Sequence, residues 1–114
     1  MDKTISSIIS KALDGLSLRA QATAQNIANA NSPNYQPVRV SFEDELRVAA
    51  GGGDVAVQSV TPRLHQAEPV KGSADHRVDQ ELATASETAL RYGALIDILN
   101  REMQLQRTMI RGGQ

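Results

Sequence analysis

Residues 79–111 read DQELATASETALRYGALIDILNREMQLQRTMIR, with no proline and a single glycine, Gly93. A seam of mostly apolar side chains recurs along this stretch in steps of three and four, the spacing of one face of a coiled-coil helix. Its members are Leu82, Ala85, Ala89, Tyr92, Ile96, Leu99, Met103, Gln106 and Ile110. The stretch therefore predicts a long helix, with Asp79 as its N-cap and Gly112 and Gly113 as its stop.

A second apolar stripe lies beside this seam on the same predicted helix. It is formed by Leu95, Ile98, Leu105 and Met109, and only Glu102 interrupts it. A helix that packs against one partner needs one apolar stripe, so two stripes indicate contacts with more than one neighbour. Because the chain has no third long helical pattern, we expect some of these neighbours to be other molecules.

The first thirty residues carry a matching pattern. Residues 5–30 contain no proline and one glycine, Gly15, and a heptad-spaced seam runs along them. The seam consists of Ile9, Leu13, Leu16, Ala20, Thr23, Ile27 and Ala30. We expect this helix to end near Asn31, Ser32 and Pro33, because the residue before a proline avoids the α conformation. The predicted fold class is mainly α, with long N- and C-terminal helices paired as an antiparallel coiled coil.

The segment between the two helices contains all four prolines and four of the eight glycines. We therefore expect an irregular middle with at most a short β segment, at residues 54–60, and one helical turn between Phe42 and Leu46. The N-terminal seam has only four large apolar side chains, and a lone two-helix hairpin would be marginally stable. We therefore expect both helices to be weakly ordered in a free monomer. The predicted divisions are an N-terminal helix (1–32), an irregular middle (33–77) and a C-terminal helix (78–114).

Composition argues against several classes of function. The formal net charge of −1 offers no excess of Lys and Arg for nucleic acid, and without cysteine there is no disulfide or thiol chemistry. His65 and His76 lack the spacing of metal ligands, and residues 43–45 lack the alternating ligands of a calcium loop. No nucleophile arrangement is recognisable. We expect a structural protein rather than an enzyme, with no metal, cofactor or small-molecule substrate.

Residues 24–35, AQNIANANSPNY, form the densest local motif. Asn26 and Asn29 flank the seam residue Ile27, although helix interiors do not favour asparagine. Their amides predict hydrogen bonds to a partner's backbone or to the returning chain. The alternative interpretation is an ordinary helix end, since asparagine is common at C-caps and turns.

This segment resembles the signature of the flagellar rod and hook axial proteins, roughly A-x-N-I-A-N-x-x-T-P-G-Y. The matching residues are Ala24, Asn26, Ile27, Ala28, Asn29, Pro33 and Tyr35. Ser32 replaces the usual Thr and keeps its hydroxyl, and Asn34 replaces Gly, which is tolerable because asparagine accepts positive φ. The sequence of residues 42–46, FEDEL, and that of residues 78–92 are similar to those of a proximal rod subunit. The short middle also favours a proximal subunit.

The resemblance implies a structural subunit of the proximal rod of the bacterial flagellar basal body, which polymerises through its terminal helices and transmits torque across the periplasm. It also implies synthesis in the cytoplasm and export by the flagellar type III apparatus without a cleaved signal peptide. The amino terminus fits this route, because it lacks the apolar stretch of a secretory signal, and no run is long enough to span a membrane.

The implied partners are copies of the chain, other rod subunits, and the membrane-ring adaptor and export gate at the rod base. We expect the subunit interface to include Ile9, Leu13, Leu16, Asn26, Ile27, Asn29, Tyr92, Leu95, Ile96, Ile98, Leu99, Met103, Leu105 and Met109. Two alternatives remain open: another proximal rod subunit of the same family, or an unrelated cytoplasmic coiled-coil adaptor that forms a closed oligomer.

Overall fold

A computed structural model describes residues 1–69 and 71–112. The fold is mainly helical, at 70% of the described residues, with two long helices that pack against each other and a short two-stranded sheet. The elements in chain order are α1 (Lys3–Ala28), β1 (Val38–Ser41), α2 (Glu43–Ala50), α3 (Asp54–Gln58), β2 (Arg63–Gln66) and α4 (Ala74–Gly112). The prediction of a mainly α fold with long helices at both ends is confirmed.

Helix α1 is bounded by polar caps at both ends. The Asp2 carboxylate accepts a hydrogen bond from the Thr4 backbone N–H at 2.7 Å, which satisfies one of the free donors of the first turn. At the other end the Asn29 side chain donates to the carbonyl of Gln25 at 2.9 Å. Asn34 then adopts a φ of 60°, the left-handed conformation expected at the position where the signature has glycine.

Helix α4 begins earlier than its apolar pattern predicts. The Ser73 hydroxyl accepts a hydrogen bond from the His76 backbone N–H at 3.1 Å, as an N-cap does. The prediction of Asp79 as the N-cap is therefore wrong, and Asp79 lies inside the helix. At the far end Gly112 is still helical, and the predicted stop at Gly113 lies outside the described residues.

The middle segment is regular, which corrects the prediction of an irregular chain. Strands β1 and β2 pair antiparallel, with Val38 opposite Gln66. The predicted strand at residues 54–60 is wrong, since most of this stretch forms α3. Val57 and Val60 are 0% and 2% exposed, so the spacing of the buried side chains is three, as in a helical turn, rather than two.

The middle segment also supplies most of the apolar core. Its buried apolar residues are Val38, Val40, Phe42, Leu46, Val57 and Val60. From α1, Leu16 and Ala22 join this cluster. Gly15 lies directly against Phe42, and a Cβ at this glycine would overlap with the ring. Four of the seven residues of the N-terminal seam are thus buried within a single chain, namely Ile9, Leu16, Thr23 and Ala30.

Helix α4 is longer than α1 and extends past it. The Arg77 guanidinium donates to the carbonyl of Ala30 at 2.7 Å, and the Met1 amino group contacts the carboxylate of Glu102. Residues 103–112, which we call the α4 tip, therefore continue beyond the start of α1 for about 15 Å of helix. The molecule measures 64 × 26 × 14 Å. Within the described ranges, no helix combines the length and hydropathy that a membrane span requires.

Candidate subunit interface

Asn26 lies at the point where α1, β1 and α4 meet. Its side chain is buried and makes four hydrogen bonds. The amide nitrogen donates to the carbonyl of Val38 at 2.9 Å and to Glu81 at 3.2 Å. The amide oxygen accepts from the Val38 N–H at 2.8 Å and from the Tyr35 hydroxyl at 2.9 Å. The predicted hydrogen bond from this motif to the returning chain is confirmed for Asn26.

The carboxylate of Glu81 is a second polar group at this junction of α1, β1 and α4. It is 4% exposed, and its second oxygen accepts from the Arg39 guanidinium at 2.7 Å. A buried carboxylate is tolerated only when paired and hydrogen-bonded, and both conditions are met here. We call Asn26, Tyr35, Arg39 and Glu81 the asparagine hub. Across residues 1–69 and 71–112, every buried side-chain nitrogen or oxygen has a hydrogen-bond partner, so the hub is complete within one chain.

Asn29, the second asparagine of the motif, has a different role. Besides its bond to Gln25, its amide oxygen accepts from the Ser32 hydroxyl at 3.3 Å. Both partners are local, and both contacts are exposed. Asn29 therefore acts as a helix cap, as the ordinary interpretation of the motif expected, whereas Asn26 joins three separate parts of the chain.

The face of α4 that packs against the rest of the chain differs from the predicted seam. Glu81 and Thr88 are buried, and Leu95 and Glu102, which follow at intervals of seven, are half-buried. In contrast, the predicted seam residues Leu82, Tyr92, Met103 and Ile110 are 39–67% exposed. Ala85, Ile96 and Leu99 of the predicted seam are half-buried, so the seam lies at the edge of the packed face, because a hydrophobicity pattern passes over polar residues that bond inside the protein. Glu81 and Arg39 were missed for this reason, and the only signal for Glu81 is its heptad relation to Leu95.

The predicted interface residues fall into three groups by exposure. Ile9, Leu16 and Asn26 are buried in the chain itself, so contact with a second copy there would require this fold to rearrange. The half-buried residues are Leu13, Ile27, Asn29, Leu95, Ile96 and Leu99. The exposed residues are Tyr92, Ile98, Met103, Leu105 and Met109. The third group therefore supplies the most accessible apolar surface.

Two apolar grooves flank the contact between α1 and α4. One groove is bordered by Ala85, Ala89 and Tyr92 of the first seam, facing Ala20 and Ile27 of α1. The other runs between α1, α2 and α4, with Ala94 and Leu95 on its α4 side and Ile8, Phe42 and Leu46 opposite. At 100° per residue, the first seam lies on one side of the buried row, whereas Ile98, Leu105 and Met109 of the second stripe lie on the other. The first seam borders one groove through three residues, and the second stripe borders the other through Leu95, which also belongs to the buried row.

Arg19 fixes the position of α2 against α1. Its guanidinium donates to both carboxylate oxygens of Glu43 at 2.7 Å and to the carbonyl of Val40 at 2.7 Å. It also lies 5.0 Å from the centre of the Phe42 ring, a cation–π contact. The hydrogen bonds from Arg19 lower the pKa of Glu43 below its ordinary value of 4.5, against the opposing effect of partial burial. This clamp holds one wall of the second groove in place.

No group of three or more His, Asp or Glu side chains with the geometry of a metal site occurs in the part of the chain that the structure describes. Compared with protein-family models, the sequence matches none of them. Compared with curated proteins, it has no significant match. The candidate site is therefore defined by its own surfaces: the grooves on either side of α4 and the exposed α4 tip.

Proposed function

We propose that this chain is a structural subunit of the proximal rod of the bacterial flagellar basal body, similar to flagellar basal-body rod protein B. Its copies assemble with one another and with other rod subunits, and the assembly transmits torque across the periplasm. The rod base joins the membrane-ring adaptor and the export gate. The chain is made in the cytoplasm and leaves it by the flagellar type III apparatus without a cleaved signal.

The observation that carries the proposal is the amount of apolar surface left uncovered on α4. Large apolar side chains that are more than a third exposed recur from one end of this helix to the other. They are Leu82, Leu90, Tyr92, Ile98, Met103, Leu105, Met109 and Ile110. Apart from Leu90, these residues lie on the seam and the second stripe of α4, and contiguous exposed apolar surface marks a site of association. Together with the signature at residues 24–35, it supports a polymerising axial subunit.

Within the rod, α1 and α4 pair as an antiparallel coiled coil. The contacts at the two ends of α1 support this pairing. The Met1 amino group contacts Glu102 toward the end of α4, whereas the Ala30 carbonyl accepts from Arg77 near its start. The two grooves beside this pair then receive helices of neighbouring subunits, one on each side. Contacts between unlike surfaces that do not close into a ring generate helical assemblies of indefinite length.

The test is a pair of substitutions in the second stripe of α4, in a source strain whose own copy is deleted. Ile98→Asp and Leu105→Asp each place a carboxylate where an apolar contact with a neighbour is proposed, and an unpaired buried charge is strongly unfavourable. We expect both variants to reach the periplasm but to leave cells without completed rods and without motility. Fractionation, electron microscopy of basal bodies and swimming assays measure these three outcomes.

Gln104→Asp is the matched control, because residue 104 is exposed and lies on the side of α4 away from the buried row. It should leave rods and swimming unchanged. Normal swimming with both Ile98→Asp and Leu105→Asp would show that the second stripe forms no contact in a rod. Two results together would instead identify a coiled-coil adaptor. The chain would stay in the cytoplasm as a closed oligomer, and cells lacking it would still swim.

A further inference from the structure

The α4 tip has an amphipathic surface that its own chain leaves uncovered. Met103, Leu105, Met109 and Ile110 are 51–69% exposed, and helical geometry places them on one side. Arg107 and Arg111 lie toward the other side, and residues 103–112 contain no Asp or Glu. A projecting helix of this length gains little stability on its own. The tip is therefore a basic, apolar segment without a partner in the single chain.

A second surface, between α2 and α3, has the complementary character. A groove of about 470 Å³ lies there, with Asp44 and Glu45 at its rim. Its remaining lining is apolar apart from Ser59, and consists of Val48, Ala49, Ala56 and Val60. Val48, on the α2 side of this groove, is 72% exposed. We call this surface the α2–α3 groove.

The acidic rim is available to an incoming cation. Asp44 lies 3.8 Å from Arg47 and Glu45 lies 3.7 Å from Arg63, and the arginine side chains of both pairs are three-quarters exposed. Exposed ion pairs at such distances contribute little, so the carboxylates are free to exchange partners. The tip offers two arginines beside an apolar face, whereas the groove offers two carboxylates beside an apolar floor.

We propose that the α4 tip of one copy binds in the α2–α3 groove of a second copy. This inference rests on the proposed function, since it assumes that copies associate, and it specifies which surfaces join. Helix α4 is continuous to Gly112, so its tip points past the start of α1 and cannot fold back onto the groove of its own chain. Each contact leaves a free tip on one copy and a free groove on the other, so the contact can repeat.

Thiol cross-linking tests the pairing directly, because the natural chain has no cysteine. Purified full-length protein carrying Val48→Cys is mixed with protein carrying Met109→Cys and oxidised. We expect a cross-linked species that contains one chain of each kind. The control mixture replaces Met109→Cys with Leu90→Cys, an exposed position on α4 outside the tip, and should give little mixed product.

Charge reversal tests the rim. Arg107→Glu should weaken self-association, measured by sedimentation, by about tenfold, and combining it with Asp44→Lys on the other copy should restore it. Arg101→Glu, the same change just before the tip, should have little effect. Association without the mixed cross-link and without a response to Arg107→Glu would overturn the inference but leave the proposed function intact. The absence of any association would also overturn it, and the proposed function would then depend on the rod and motility assays alone.

Discussion

Asn26 joins separate parts of the fold, because one amide bonds to groups of β1, of α4 and of the loop before β1. Asn26→Ala would remove the partner of both the N–H and the C=O of Val38, and one partner each of Glu81 and Tyr35. At about 1–3 kcal/mol for each buried group left unpaired, we expect a loss of about 2–4 kcal/mol in the free energy of unfolding. Urea denaturation of the purified protein measures it.

Asn29→Ala is the matched control for this prediction. Its hydrogen bonds are local and exposed, so its loss should cost less than about 1 kcal/mol. Equal effects of the two substitutions would mean that the asparagine hub adds nothing to stability beyond a helix cap.

The motif at residues 24–35 could be recognised from the sequence, but its partners could not. Asparagines in a helix interior are unusual enough to indicate a hydrogen-bonding role, and Asn34 in place of glycine indicated a left-handed turn. Arg39 and Glu81 gave no such signal, because charged residues are nearly always on the surface. Only the tertiary contact that brings them within 2.7 Å shows that they are a pair.

Glu43 makes the free energy of unfolding depend on pH. Its pKa is lowered in the folded state, first by the hydrogen bonds from Arg19, so its contribution is complete above its ordinary pKa of 4.5. That contribution is lost as the pH falls through the lower folded value. Since the Glu43 side chain is 45% exposed, solvent screening limits the effect to about 0.5–1 kcal/mol.

We therefore expect Glu43→Gln to be less stable than the natural protein at neutral pH, with the difference narrowing as the pH is lowered from neutral through the ordinary pKa of 4.5 and below it. Thermal unfolding followed by circular dichroism across this range measures it. A difference that stays constant with pH would show that Glu43 acts through packing rather than through its charge.

Among the elements, the long helices were predictable and the short ones were not. A helix of 26 or 39 residues repeats its pattern often enough to be recognised. Helix α3 has five residues, too few to distinguish helical spacing from strand alternation, and valine favours strands. In the structure Gly53, the residue before α3, has a positive φ of 91°. Val57 and Val60, three residues apart, are both buried, as a helical turn requires.

Helix α4 should differ in stability along its length. From Glu81 to Leu95 it packs against α1 and the middle segment, whereas the α4 tip makes no contact with a buried cluster. We expect hydrogen exchange of a dilute monomer to be slow at Thr88 and fast across residues 103–112. The seam of α1 should be protected too, since the core of the same chain covers it, which revises the expectation of a weakly ordered monomer.

Raising the protein concentration serves as the internal control for this measurement. If the tip binds a second copy, its protection should increase with concentration while that at Thr88 stays the same. Strong protection of residues 103–112 at the lowest concentration would contradict the description of the tip as unsupported.

As a whole the molecule is elongated. The radius of gyration of its Cα atoms is 17.8 Å, whereas a globular domain of 114 residues has about 13 Å. We expect small-angle X-ray scattering of the monomer to give a value near 18 Å. A value near that of a compact domain would show that the α4 tip folds back in solution, and the proposed contact between copies would lose its projecting helix.

The asparagine hub also imposes an order on folding. Its members come from positions 26, 35, 39 and 81, so the last component to leave the ribosome is the carboxylate on α4. Until Glu81 emerges, Arg39 lacks its counter-ion and Asn26 lacks one acceptor, although the buried apolar cluster of α1 and the middle segment has already been synthesised. Contacts of such long sequence separation form late, because a large loop must close first. A chain that ends before Glu81 therefore has all the residues of its buried apolar cluster but cannot close the hub that joins α1 and β1 to α4.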